Sequence, residues 1–194
     1  MGKLINVYSS FEVTAAVAAV AASGFIAQVV PQQVSSDTGR PMIMGLTKLR
    51  IELTTAVSSK FGIVVANATG TPTGPGTHNG QEVSRGGGGY SVTYPGQLLT
   101  AWSAAPTFSA GREFYRSELL PATVGAFVEW DWPEDDPFSP FDINQGRYAF
   151  QCPDGLPISA GFGVLVQNMG AGISGAVIVT ARFLQYRFGL GGPG

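Results

Sequence analysis

Hydrophobic positions recur with a period of two along most of the chain. Over residues 175–188, Val177, Val179, Ala181 and Phe183 fall on one face, and Ile178, Thr180, Leu184, Tyr186 and Phe188 on the other. A strand shows successive side chains to opposite faces, so apolar residues on both sides predict a strand covered twice, once by a core and once by a second layer or another subunit. Leu49, Ile51 and Leu53 alternate with Arg50, Glu52 and Thr54, the mark of a half-buried strand. Shorter apolar runs predict strands over residues 25–30, 61–68, 90–94, 97–103, 113–119 and 123–132. Within residues 147–188, three apolar runs are separated by Pro153-Asp154-Gly155, Ser159-Ala160-Gly161 and a glycine-bearing turn at 168–175. Eight or more short strands with no helix between them predict an all-β, antiparallel sandwich, most simply a jelly roll.

Two stretches break the rhythm. Ser9-Ser10-Phe11-Glu12 matches a capping box, an alanine-rich run follows to Ala22, and Gly24 is placed to end a helix. The same residues also read as a strand, since Val13, Ala15, Val17 and Ala19 alternate. Residues 69–89 form the longest stretch without periodicity, ending in Gly86 to Gly89, and such loops tend to be functional or to dock on neighbours. The expected organisation is an N-terminal extension over 1–47, carrying a short helix and acting as a docking arm, then a jelly-roll sandwich over 48–188, then a glycine-rich tail over 189–194. Glu12 interrupts the early apolar run, which argues against a signal peptide.

Charge sharpens the picture. Only 12% of the 194 residues are Asp, Glu, Lys or Arg, about half the share of an ordinary soluble domain. Lysine is scarce (Lys3, Lys48 and Lys60), while arginine and aromatics are retained, which is how interface surface differs from free surface. A weakly charged chain self-associates readily, so much of this surface is expected against other copies. With a net charge of −2 and no Lys or Arg run, nucleic acid is not an expected partner. No apolar stretch is long enough for a membrane-spanning helix.

Candidate chemistry is thin. Asp131, Glu134, Asp135 and Asp136 gather oxygen ligands, but without the Asp-x-Asp-x-Asp-Gly spacing of a calcium loop they read as a solvated turn. His78 is the single histidine and Cys152 the single cysteine, so neither a histidine-rich metal site nor an internal disulfide is available. Gly86 to Gly89 lacks the Gly-Lys-Ser/Thr ending of a phosphate-binding loop. Asn67-Ala68-Thr69 is a glycosylation sequon with no other secretory cue. Trp102, Trp130 and Trp132 are candidates for stacking on sugars, and more simply for core or interface. No catalytic residue, cofactor or metal ligand is assigned.

Trp102-Ser-Ala-Ala-Pro-Thr, then Phe114-Tyr-Arg, then Pro121 through Trp132, and the closing Leu156 to Asn168 followed by a long final strand, resemble jelly-roll virion proteins of tailed bacteriophages. The resemblance covers residues 48–188 and rests on turn-and-strand rhythm. It implies a non-enzymatic structural protein of the virion, a homo-oligomer (commonly a trimer) attached to capsid or tail as a decoration or stabilising component. Its partners would be further copies of itself and other virion proteins. The alternatives are a carbohydrate- or receptor-binding module of a tail or spike, and a major jelly-roll capsid protein of a small virus, although such proteins usually carry a basic N-terminal arm.

Overall fold

The computed structural model describes residues 7–30, 42–69, 73–85, 97–103, 107–108, 112–133 and 162–187. Its strands are β1 (Val7–Val17), β2 (Phe25–Val30), β3 (Met42–Leu53), β4 (Phe61–Thr69), β5 (Thr77–Asn79), β6 (Gln81–Arg85), β7 (Gln97–Leu99), β8 (Thr107–Phe108), β9 (Arg112–Arg116), β10 (Phe127–Asp131), β11 (Phe162–Asn168) and β12 (Val177–Arg187). A 3-10 turn at Gly74–Gly76 precedes β5. All pairings are antiparallel, in two sheets ordered β10-β3-β12-β1-β6 and β5-β7-β2-β11-β4, with β8 and β9 both lying along β4.

The protein is therefore an all-β sandwich. Taking β1, β2, β3, β4, β9, β10, β11 and β12 in order, the chain changes sheet at every step except β4 to β9. Their spatial orders are β10-β3-β12-β1 and β2-β11-β4-β9, so the chain interleaves the two sheets. The segment between β4 and β9 adds β6 outside β1 and β7 and β5 outside β2, so it widens both sheets on one side.

Side-chain alternation does the folding work. In the first sheet the inner rows run Phe11–Phe183–Leu46, Val13–Ala181–Leu49–Trp130, Ala15–Val179–Ile51–Val128 and Val17–Val177–Leu53. Ile26, Ala27, Val29, Phe61, Ile63, Leu98 and Val166 meet them from the second sheet in one continuous core. The Phe11 and Phe183 rings stack at 5.7 Å. Burying a side chain of this size is worth about 1.5–3 kcal/mol, which is why the pattern overrides local preference.

That override corrects three sequence expectations. Residues 9–22 are not helical: β1 pairs with β12 along its full length, from Val7 opposite Arg187 to Val17 opposite Val177. Alanine's helix preference is worth less than eleven residues of ladder plus four buried side chains. The described residues within 1–47 are not an arm outside the sandwich, because β1 and β2 are two of its strands and β3 begins at Met42. Residues 69–89 are not uniformly irregular, since β5 and β6 lie there and β6 pairs with β1. Gly24 does end a turn, with its N–H donating to Ala21 O at 3.1 Å. The expected strand at 90–94, the turns at 153–161, Gly86 to Gly89, Cys152, residues 134–136 and the tail at 189–194 lie outside the described residues.

Candidate functional site

No cleft of convergent reactive groups emerges from the described residues; three surfaces with distinct chemistry do. The first is the outer face of the first sheet. The outward rows are Glu12–Arg182–Lys48–Asp131, Thr14–Thr180–Arg50–Glu129 and Ala16–Ile178–Glu52–Phe127. Register thus sets opposite charges side by side. Arg182 donates to Glu12 at 2.7 Å, Lys48 lies 3.2 Å from Glu129 and 3.6 Å from Asp131, and Arg50 lies 2.8 Å from Glu52 and 3.7 Å from Glu129. The Arg50 guanidinium also sits 3.7 Å above the Phe127 ring. Seven charged side chains are therefore spent on one solvated sheet face, out of 24 acidic and basic residues in the chain (11 + 13). At the far end of the same face Ser10, Gly45 and Leu184 are buried.

The second surface is the loop end. Residues 18–24, 54–60, 117–126 and 169–176 join successive strands at one end of the sandwich, and they bond to one another. Val20 and Ile173 exchange backbone hydrogen bonds at 2.9 and 2.7 Å, Leu120 N–H donates to Ser59 O at 2.9 Å, and Met169 N–H donates to Lys60 O at 2.8 Å. Asn168, fully buried at the end of β11, is their hub. Its Oδ1 accepts from Ser59 Oγ at 2.6 Å and from the Gly170 N–H at 3.0 Å. Its Nδ2 donates to the carbonyls of Ala21 at 3.1 Å and Ala171 at 2.8 Å. The loop before β10 is pinned by Gly125 N–H to Leu53 O and Leu53 N–H to Ala126 O, both at 2.8 Å, and Gly125 takes the left-handed φ of +85° that its turn requires.

The third is the edge where β9 and β10 face each other across the two sheets. Trp132 Nε1 donates to the Tyr115 hydroxyl at 3.0 Å, with the rings edge to face at 5.4 Å, so the two sheets are stitched there. Outside the stitch the exposed residues are mixed, with Glu113, Arg116 and Glu118 beside apolar side chains. Among the described residues the exposed large hydrophobics are Phe114 (37%), Leu119 (58%), Val124 (63%) and Phe127 (47%), all within residues 114–127. The adjacent Glu113 and Arg116 are paired to each other at 2.7 Å, and that contact holds the Glu113 carboxyl below its usual range.

The residues singled out from sequence scatter over these surfaces. Trp130 faces the core and Trp132 bonds Tyr115, so both are committed to the sandwich, while Trp102 is half-buried. His78 meets Thr100 Oγ1 at 3.0 Å, and Asp131 pairs with Lys48. Asn67 lies within β4, opposite Phe162 of β11. The Asn168 hub was missed from sequence, where it reads as one turn residue among several. No protein-family model, curated protein or solved structure matches the chain.

Proposed function

We propose that the protein is a non-enzymatic structural subunit of a bacteriophage particle: a homo-oligomer, a trimer in the simplest form, attached to the capsid or tail. The observation that carries this reading is that, among the described residues, the exposed large apolar side chains all fall within residues 114–127. The low charge of the chain supports it, because most of that charge which the described residues hold is neutralised within the subunit. Carbohydrate binding by the tryptophans draws less support, since two of the three are spent on packing. A shell-forming capsid subunit is the second reading, favoured by the alternation of the chain between the two sheets and by β1 and β2 belonging to the sandwich. Light scattering on the purified protein at micromolar concentration tests the reading. A closed oligomer with an interface above about 1,000 Å² is expected, and a stable soluble monomer overturns it.

A further inference from the structure

We propose that Asn79–Gly80, the junction between β5 and β6, is a self-modification site, where the asparagine side chain converts to aspartyl and isoaspartyl forms with loss of ammonia. It is the single Asn-Gly pair of the chain. The pair sits where the two sheets are joined: β5 is an outermost strand of the second sheet, β6 an outermost strand of the first, and Gly80 is the one residue between them. Asn79 stands opposite Gln97 in the β5–β7 ladder and Gln81 opposite Glu12 in the β6–β1 ladder, while Gly80 belongs to neither.

The geometry supplies each part of an intramolecular substitution. The nucleophile is the Gly80 backbone nitrogen, held in the same molecule as its target and therefore at high effective concentration. Its N–H makes no hydrogen bond among the described residues, and glycine brings no Cβ to obstruct the approach. The electrophile is Cγ of Asn79, on an exposed side chain. Gln97 Nε2 donates to Asn79 Oδ1 at 2.8 Å, which draws electron density from Cγ and steadies the oxyanion of the addition step. The leaving nitrogen, Asn79 Nδ2, has no hydrogen bond among the described residues. Closing the ring requires rotation of the Asn79 backbone, and β5 resists this weakly, being three residues long and laddered to β7 alone. Gly80 itself is buried, so hydroxide reaches its N–H when β5 opens, and the fold meters the reaction.

Hydroxide removes the Gly80 N–H proton. The nitrogen attacks Cγ, a C–N bond forms, the Cγ–Nδ2 bond breaks, and ammonia leaves with a proton taken from water, giving a cyclic succinimide. Water then opens the ring at either carbonyl. Breaking the new Cγ–N bond restores the ordinary backbone with a side-chain carboxylate. Breaking the original peptide C–N bond routes the backbone through Cγ and leaves an α-carboxylate. Either product adds one negative charge, taking the net charge from −2 to −3 (−2 − 1). The second also inserts a methylene into a junction one residue long. The Asn79–Gln97 and Gln81–Glu12 registers cannot then both be kept, and one sheet edge is released.

The test incubates the full-length folded protein in neutral to mildly alkaline buffer. Beside it run the same chain unfolded in guanidinium and the Asn79→Gln variant, whose longer side chain must close a larger, slower-forming ring. Trypsin cuts after Lys60 and Arg85, so peptide 61–85 reports position 79, with Asn67 as an internal comparison. In the folded wild type this peptide should gain the mass of NH2 replaced by OH, and fragmentation should place the change at 79 and not at 67. An isoaspartyl methyltransferase should accept part of the product, the rate should rise in proportion to hydroxide, and Asn79→Gln should stay unmodified. A folded protein that stays intact while the unfolded chain converts overturns the proposal, because the fold then protects the junction; conversion in neither overturns it as well. The converted protein, separated by its extra charge, should melt at a lower temperature than the unconverted, and identical melting overturns the released edge.

Discussion

Asn168→Ala should be the most damaging single polar substitution in the described part of the molecule. The side chain is fully enclosed and makes four hydrogen bonds, accepting from Ser59 Oγ and Gly170 N–H and donating to the carbonyls of Ala21 and Ala171. Truncation leaves two donors and two acceptors facing a small void. A buried polar group deprived of its partner costs about 1–3 kcal/mol, and partial rearrangement of the Ser59 hydroxyl recovers some of it, so a total of roughly 3–5 kcal/mol is expected. For a chain of this size each kcal/mol moves the melting temperature by about 2–4 °C, giving a fall of roughly 6–20 °C. Thermal and urea unfolding followed by circular dichroism at one fixed protein concentration would measure it, since association shifts apparent stability by mass action. Asn168→Asp supplies the control: it keeps an acceptor for Ser59 and Gly170 but turns an oxygen toward two carbonyls. It should therefore be no better than alanine at pH 7 and should recover in mild acid, where the protonated carboxyl donates again. A loss below about 1 kcal/mol for Asn168→Ala would refute the view that this residue holds the loop end together.

The other buried amide should behave oppositely: Gln28 is fully enclosed with neither amide atom bonded, so Gln28→Met should stabilise by about 1–2 kcal/mol in urea melts, and a destabilised variant would show that the amide has a partner. Deleting residues 1–24 removes β1 and should abolish the cooperative melting transition; a truncated protein that still melts cooperatively would restore the idea of a dispensable arm. Glu113 has a lowered pKa through its hydrogen bond to Arg116, so its contribution is present above the ordinary carboxylate pKa and is lost as pH falls through the lowered one. Acidification from pH 7 to 3 should therefore cost the wild type slightly more stability than Glu113→Gln, and equal losses would mean that this exposed pair contributes nothing.

What could be read from sequence depended on whether the signal was local. In β12 each inward residue announces itself, because Val177, Val179, Ala181 and Phe183 are apolar, bulky or β-branched for the most part, and their face is the core face. In β1 the same alternation exists in Phe11, Val13, Ala15 and Val17, but alanines at the intervening positions make a helix equally consistent. What settles the matter is β12, a partner far away in sequence. The short strands β5 and β7, three residues each, are held by pairing with neighbours and carry almost no pattern of their own. The charge ladder was invisible for the same reason: nothing in the chain says that Glu129 will stand between Lys48 and Arg50 until the register of β3 and β10 is known. Asn168 shows the limit from the other side, since its role rests on three loops that sequence cannot bring together.

The pairing of β1 with β12 also sets a schedule for synthesis. Val7 and Arg187 are opposite each other although 180 positions separate them (187 − 7). On the ribosome, β1 emerges long before β12, its long neighbour on one side and the last of the described strands. At about 5–20 residues per second, its alternating apolar face waits on the order of ten seconds or more for that partner. Contacts of such sequence separation also slow folding after release, because the loop must close before any ladder rewards it. Through that interval β6 can pair with only Ser9–Glu12, and the rest of β1 has no strand beside it. Expression yield should therefore depend on temperature and on chaperone supply more steeply than the finished sandwich, with its continuous core, would lead one to expect.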